Sequence, residues 1–264
     1  MKLPRPFARL WALAFSLALT AAVSAAELHV FGSGAFTAAY NALAPGYEQA
    51  SHDTLVYAFG PSMGGGPDSI PSRLNRHEPA DVVIMASTAL DALVKAGKVL
   101  PGTRVDLALS SIGMAVKAGA PVPDISTPEA VKQAVLQAKS IAYSSSASGV
   151  YLMETLFPKW GIADQVRPKA QRIDGLVGPV IAKGDAELGF QQISELQPVK
   201  GITLIGPIPK EIQKITTFSA GVVATSTHPE RAKALIAYLA SPEVAATVKS
   251  TGLEIPSDSA RQPH

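Results

Sequence analysis

The fold is decided by residues 28–47, which read LHVFGSGAFTAAYNALAPGY. Leu28 to Phe31 has the apolar, β-branched character of a short strand, and Gly32-Ser33-Gly34 turns the chain after it. Apolar residues then recur at helical spacing, at Phe36, Ala39, Tyr40, Leu43 and Tyr47. The stretch therefore predicts a strand, a glycine turn and a helix.

The same unit follows twice more. Thr54 to Phe59 predicts a strand, residues 60–67 form a glycine-rich loop, and Ile70 to Asn75 predicts a short helix. Val82 to Met85 then predicts a fully apolar strand, followed after a turn by a helix at 89–96. Three strand-turn-helix units imply a parallel sheet covered by helices, which is an α/β fold.

A second block begins near residue 110, where the repeat pattern breaks. It predicts strands at 112–117, 140–143 and 188–191 and helices at 128–137, 150–157 and 177–183. An apolar stretch at 215–224 and helices at 229–239 and 242–250 close the chain, each helix with a proline early in it. The break predicts two lobes, one of residues 27–109 with 218–264 and the other of residues 110–217.

The first 26 residues have the pattern of a secretory signal peptide. Lys2, Arg5 and Arg9 precede an apolar run at 10–23, and small residues at 23–26 offer a cleavage site. The alternative, a membrane anchor, needs about 20 apolar residues, and the run is shorter. The sequence therefore predicts export to the periplasm and a mature N-terminus at Ala26 or Glu27.

Charge and composition narrow the function classes. Of 264 residues, 23 are Lys or Arg and 21 are Asp or Glu, and removing the three basic residues of the leader leaves 20 against 21. A near-neutral chain does not favour nucleic-acid binding, which needs clustered basic residues. There is no cysteine, and the five histidines lack zinc-binding spacing, so no metal or cofactor is predicted. Gly60 to Gly64 matches Gly-x-Ser-x-Gly, but Pro61 fits a hydrolase nucleophile turn poorly.

The chain resembles the periplasmic solute-binding proteins of ABC importers, in particular the molybdate-binding group, over essentially the whole mature sequence. The likeness lies in the order and spacing of short segments: Gly32-Ser33-Gly34, residues 78–84 (EPADVVI), 148–151 (SGVY), 184–190 (GDAELGF), 229–232 (PERA) and 241–243 (SPE). The resemblance implies a two-lobed periplasmic binding protein fold of type II, with a ligand cleft between lobes joined by two crossing segments. The crossings are expected near residues 108–111 and 216–221.

A small anionic ligand is the partner that these features imply. Ligands of open α/β sheets lie beyond the strand ends, where helix N-termini present N–H groups. The candidate binding residues lie in such turns: Ser33, Gly34, Ser62, Met63, Gly64, Ser87, Ser144, Ser146, Ser148 and Gly149. Taken singly, each serine is explained as a helix cap, but several such turns converging in one fold favour a shared anion site.

The sequence departs from the molybdate pattern at one strand end. The resemblance implies a ligand-binding tyrosine there, and Gln192 stands in its place beside Gln191. Long amide side chains suit a larger ligand with carboxylates better than a spherical oxyanion. A tricarboxylate would also need a cation, for which Arg73 is the first candidate and Arg172 the second.

Two functions compete, and the departures from the molybdate pattern favour the first of them. The chain is similar in length, signal peptide and fold to a subgroup of bacterial enzymes that interconvert cis- and trans-aconitate, which implies an allylic proton transfer. The alternative is a non-enzymatic binding protein that delivers molybdate, a related oxyanion or a small carboxylate to the membrane subunits of an ABC importer. A proton transfer needs a general base, for which the sequence offers Asp68, Asp174 and Glu195 without choosing among them.

Overall fold

The computed structural model describes residues 25–257 and residue 263 and shows two α/β lobes, each built on a five-stranded sheet. The strands are β1 (Glu27–Gly32), β2 (Thr54–Phe59), β3 (Val82–Ala86), β4 (Val105–Ser110), β5 (Ile112–Lys117), β6 (Ile141–Ser144), β7 (Ala170–Ile173), β8 (Leu188–Gln192), β9 (Ile202–Pro207) and β10 (Thr216–Val222). The helices are α1 (Gly34–Ser51), α2 (Ile70–Asn75), α3 (Ser87–Lys95), α4 (Pro128–Gln137), α5 (Ala147–Tyr151), α6 (Phe157–Lys159), α7 (Ala163–Val166), α8 (Gly178–Lys183), α9 (Ile193–Leu196), α10 (Pro229–Leu239) and α11 (Ala245–Ser250). The described part of the chain has no helix long and apolar enough to cross a membrane.

The two sheets share one strand arrangement. The first has the order β2-β1-β3-β10-β4 and the second the order β7-β6-β8-β5-β9. In each, three strands run parallel, and the fourth strand in the order is antiparallel to both of its neighbours. The antiparallel strand is β10 in the first sheet and β5 in the second, and each follows the other lobe directly in the chain. The two lobes are therefore interlocked and do not follow each other as separate units along the chain.

Helices cover both faces of the first sheet. Phe36 and Leu43 of α1 pack with Leu235 of α10 against one face, while Ile70 and Leu90 pack on the other. These residues are the apolar stripes that the sequence pattern predicts. The stripes therefore fix how each helix lies on the sheet.

Local signals set the helix starts. Thr127 accepts a hydrogen bond from the N–H of Ala130 at 3.1 Å, and Pro128 occupies the first helical position of α4. The predicted helix at 128–137 is confirmed. The predicted helix at 150–157 instead begins at Ala147, three residues earlier, and continues through a π-helical turn at Leu152–Leu156 into α6.

The crossings between lobes differ in part from the expectation. The first lies at Ser111, between β4 of one sheet and β5 of the other. The second lies between Pro207 and Thr216, because residues 216–220 already pair with β4 in the first sheet. The crossing expected at 216–221 was therefore placed too late in the chain.

The lobes touch across the cleft. Ala147 of the second lobe packs against a small apolar cluster formed by Ala35, Ala86 and Phe218 of the first, with Met63 at its edge. The two lobes are therefore in direct contact at the cleft.

Candidate functional site

The cleft between the lobes receives strand ends and helix starts from both sides. It is lined by Ser33, Gly34, Ala35, Phe59, Pro61, Ser144, Ser145, Ser146, Ala147, Ser148, Asp174, Gly175, Gln192, Glu195 and Phe218. We call this set the interlobe cleft. Five of its residues are serines, and its two acidic residues both come from the second lobe.

On the first lobe, the cleft is floored by the start of α1. Ser33 is buried between β1 and α1, and its N–H donates to the carbonyl of Ile84 at 2.8 Å. Its hydroxyl has no hydrogen-bond partner among the described residues. A buried hydroxyl at the N-terminus of an 18-residue helix is a donor placed for an anion.

On the second lobe, the turn after β6 supplies hydroxyls. The Ser144 hydroxyl accepts from the N–H of Ser146 at 3.1 Å, and the N–H of Ser145 donates to the carbonyl of Ile173 at 2.9 Å. Gly149 is required behind this turn, because a Cβ there would overlap the carbonyl of Ser144. These contacts fix the turn that faces Ser33.

Glu195 is the buried acid of the cleft. It lies in the first turn of α9, and its Oε1 accepts a hydrogen bond from Gln191 Nε2 at 2.9 Å. Burial raises its pKa to about 8, although hydrogen bonds from the backbone of Gln192 and the side chain of Gln191 act to lower it. No Lys or Arg nitrogen of the described residues lies within 4.0 Å of its carboxylate.

The other two candidate acids have different surroundings. Asp68 is exposed and does not line the cleft. Asp174 lines the cleft, but its side chain is 77% exposed and lies 3.8 Å from Arg172 Nε. Of the three candidate acids, Glu195 alone is both buried and part of the cleft lining.

The two glutamines are bonded to protein groups. Gln191 accepts from the N–H of Val177 at 2.7 Å and donates to the carbonyl of Gly175 at 3.2 Å as well as to Glu195. Gln192, with its amide oriented to satisfy both ends, donates to Ser110 Oγ at 2.8 Å and accepts from Thr216 Oγ1 at 3.2 Å. Gln191 thus supports Glu195, and Gln192 joins the end of β8 to both crossings.

The two candidate arginines lie in different places. Arg73, the first choice from sequence, pairs with Glu78 at 2.6 Å and lies 4.2 Å above the Phe31 ring, and it does not line the cleft. Arg172 extends toward the glycine loop, where a Cβ at Gly64 would lie 3.2 Å from its Nη2. Arg172 lines a neighbouring space that shares Ser144 and Ser145 with the cleft, so neither arginine is part of the cleft lining.

Three more predicted residues lie beside the cleft rather than in its lining. Met63 and Ser87 border a second interlobe space next to Thr216, and Ser87 is already the first residue of α3. Ser62 is fully buried, and its hydroxyl accepts from the N–H of Ala86 at 3.0 Å. Ser62 thus ties the glycine loop to the end of β3.

Replacing Ser62 with Ala is expected to lower stability more than ligand binding. The substitution leaves the buried N–H of Ala86 without its acceptor, which costs about 1–3 kcal/mol. Thermal unfolding of the mature protein measures the loss. Ser250→Ala, which removes an exposed hydroxyl at the end of α11, is the control and should be near neutral. An unchanged melting temperature for Ser62→Ala would contradict this role.

Sequence reasoning missed several residues that line the cleft. They include Phe59, Pro61, Gly175 and Phe218, while Ser145 lies inside the predicted serine turn at 144–148. Phe59 and Pro61 flank the predicted turn at Gly60, so the end of β2 carried a usable signal. Phe218 carried no such signal in the sequence. It lies on β10, which is brought to the cleft by its position between β3 and β4 in the first sheet.

The fold and the cleft together define a class of protein. A family model described as bacterial extracellular solute-binding protein matches residues 28–254, and the chain belongs to that family. The membership assigns an extracellular or periplasmic location. The predicted leader, residues 1–26, lies almost wholly outside the described residues.

Individual relatives are more specific. An aconitate isomerase of Pseudomonas sp. is 48% identical over 240 residues, which cover 90% of this chain and 92% of the relative. The molybdate-binding protein ModA of Azotobacter vinelandii is 24% identical over 243 residues, 89% of this chain and 92% of that protein. The solved structure of the A. vinelandii periplasmic molybdate-binding protein matches with a TM-score of 0.71 at 19% identity, covering 87% of this chain and 99% of that one. The predicted two-lobed α/β fold and the resemblance to the molybdate-binding group are confirmed.

Proposed function

We propose that this protein is a periplasmic isomerase that interconverts cis- and trans-aconitate by moving a proton along an allylic system. The observation that carries the proposal is the 48% identity to an aconitate isomerase over 90% of the chain. The cleft supports it, because its neutral donors and helix N-terminus suit a carboxylate ligand. The location follows from the family and from the predicted leader.

Binding of a tricarboxylate requires hydrogen-bond donors and a positive charge. Ser33, Ser146 and Ser148 line the cleft with hydroxyl groups, and the N-terminus of α1 carries roughly half a positive charge. These groups leave part of a trianion's charge without compensation. Arg172, which lines a space next to the cleft, is our candidate for the cation that meets the remainder.

The reaction itself needs little more than positioning and one base. A proton leaves the methylene carbon next to a carboxylate, and the C–H electron pair becomes the new C=C bond. The old π pair takes the proton at the other end of the three-carbon system. Fixed donors stabilise the negative charge that builds on the carboxylates during this transfer.

Proton NMR of purified mature protein with trans-aconitate tests the proposal. Resonances of cis-aconitate should grow until an equilibrium mixture is reached, and the same mixture should form from cis-aconitate. Heat-unfolded protein is the control. Absence of interconversion by folded protein from either side would overturn the proposal.

The alternative function is delivery of an oxyanion or a small carboxylate to an ABC importer. The observation that favours it is the 24% identity to a molybdate-binding protein, together with the serine-rich cleft. A thermal-shift panel of molybdate, tungstate, sulfate, citrate and both aconitates separates the two. A ligand at 100 times its Kd stabilises the protein by about 2.7 kcal/mol, and a shift with molybdate alone would support the importer function.

Arg172→Gln is expected to weaken the binding of a trianion more than the binding of a dianion. Losing a charge-assisted hydrogen bond costs about 1.5–3 kcal/mol, or roughly a tenfold or greater rise in the Kd for citrate. Sulfate, which the neutral donors can hold alone, should be affected far less. Isothermal titration of both ligands measures the difference, with Arg76→Gln at the exposed end of α2 as the control. Equal losses for both anions would contradict the charge-matching argument.

A further inference from the structure

We propose that Glu195 is the catalytic residue that carries the proton between the two carbons of the substrate, and that Gln191 is its positioning residue. The inference deepens the proposed isomerase function and rests on it. It chooses one acid among the three that the sequence left open.

The position of Glu195 is set by short-range geometry. Glu195 is the third residue of α9, which follows the cap Gln192. Its side chain therefore turns back toward the end of β8 and into the cleft. Oε1 reaches across to the first lobe, since a Cβ added at Gly34 would overlap it. The carboxylate therefore lies where the start of α1 and the second lobe meet.

Glu195 has no structural ion pair that would explain a buried carboxylate. Buried acids are ordinarily paired with a cation, because burying a lone charge is costly. The one side-chain hydrogen bond that its carboxylate accepts among the described residues comes from the neutral amide of Gln191. An acid kept buried and without a cation in a ligand cleft is a functional group rather than a structural one.

Its protonation suits reversible transfer near neutral pH. Burial raises the pKa of Glu195 to about 8, close to the pH at which a general base and its conjugate acid are both efficient. The other titratable groups facing this region are Tyr57 of β2, whose pKa burial raises to about 12, and Asp174 after β7. Tyr57 therefore stays neutral over the pH range in which Glu195 ionises.

The proton balance closes with this one group. The ionised carboxylate of Glu195 takes the methylene proton, and the substrate becomes an allylic carbanion delocalised into its carboxylates. The resulting carboxylic acid returns that proton to the other end of the three carbons. Glu195 ends each turnover ionised, and no oxidant, reductant or metal is consumed.

Glu195→Gln is the direct test, because it keeps the size of the side chain and removes the base. We expect kcat for aconitate isomerisation to fall by about 10²–10⁴-fold, the usual contribution of general acid–base catalysis. Any exchange of the methylene protons with D2O that the wild type catalyses should be lost in parallel, while isothermal titration still detects trans-aconitate binding. Glu230→Gln, at an exposed position of α10, is the matched control and should keep full activity.

The outcomes distinguish the two proposals. An active wild type with an active Glu195→Gln variant overturns the role of Glu195 and leaves the isomerase function standing. A wild type without turnover or D2O exchange overturns both. An active wild type with an inactive variant that binds trans-aconitate supports both.

Gln191→Met tests the positioning role by a readout that simple loss of structure would not give. Removing the amide donor withdraws a contact that lowers the pKa of Glu195. The base must be ionised, so kcat/KM rises with pH, and this rise should move to higher pH in the variant. An unmoved pH profile in an active, folded variant would overturn the role of Gln191.

Discussion

Replacing Gly34 with Ala is expected to remove most of the isomerase activity while leaving the first lobe as stable as before. The new Cβ would overlap Glu195 Oε1 and lie 3.2 Å from the Phe59 ring. The carboxylate of Glu195 is the group that must move, because it is the end of a flexible side chain and the new Cβ at residue 34 is attached directly to the backbone. Displacing a reacting group by about 1 Å costs on the order of 10²-fold in rate, so we expect a loss of that size in kcat/KM.

Stability should not follow activity in this variant. Gly34 is the first residue of α1 and does not have a positive φ, so alanine fits its backbone and stabilises a helix relative to glycine. Thermal unfolding with kinetic assays separates the two effects. Gly66→Ala is the control, since a Cβ there meets nothing within 4 Å and Gly66 does not line the cleft. Undiminished activity of Gly34→Ala would contradict the closed geometry at Glu195.

Replacing Asp53 with Ala is expected to cause a large loss of stability. Its side chain is 1% exposed, pairs with Arg231 of α10, and accepts the N–H of Ala26 at 3.0 Å and the hydroxyl of Tyr47 at 3.4 Å. Removing one partner of a largely buried pair costs about 3–5 kcal/mol, because the Arg231 guanidinium, whose side chain is 22% exposed, loses this partner. For a chain of this size the melting temperature should fall by about 6–20 °C.

The effect depends on burial, and the chain offers a matched comparison. Asp164 pairs with Arg167 at 3.4 Å, but its side chain is 96% exposed. Exposed pairs contribute little, so Asp164→Ala should leave the melting temperature nearly unchanged. Similar shifts for the two variants, measured by thermal unfolding in one buffer, would contradict the role given to Asp53.

The cleft shows where sequence reasoning reached its limit. The serine turns at 33 and 144–148 were identified because each follows a predicted strand and precedes a predicted helix. The ranking of Arg73 above Arg172 had no such local support, since the choice depends on which carboxylate or loop lies beside each one. Glu78 holds Arg73 away from the cleft, and no local pattern reports that contact.

The choice of base has the same origin. Glu195 follows the cap Gln192 by three residues, a spacing ordinary for an acid at a helix start. Its burial, and therefore its raised pKa, comes from the first lobe closing against it. The sequence offered Glu195 as one of three candidate bases but could not show that it is buried.

The sequence by itself determined the strand-turn-helix units, the start of α4 at Thr127 and Pro128, and the turns that carry the serines. Periodicity and capping are local properties, so a short stretch of residues is enough to specify them. Only the tertiary structure decided the strands β4, β7 and β9 and the residues of the second crossing. It also decided which residues surround the carboxylate of Glu195. These features depend on segments that are far apart in the chain. The segments meet only when β10 joins the first sheet and β5 joins the second.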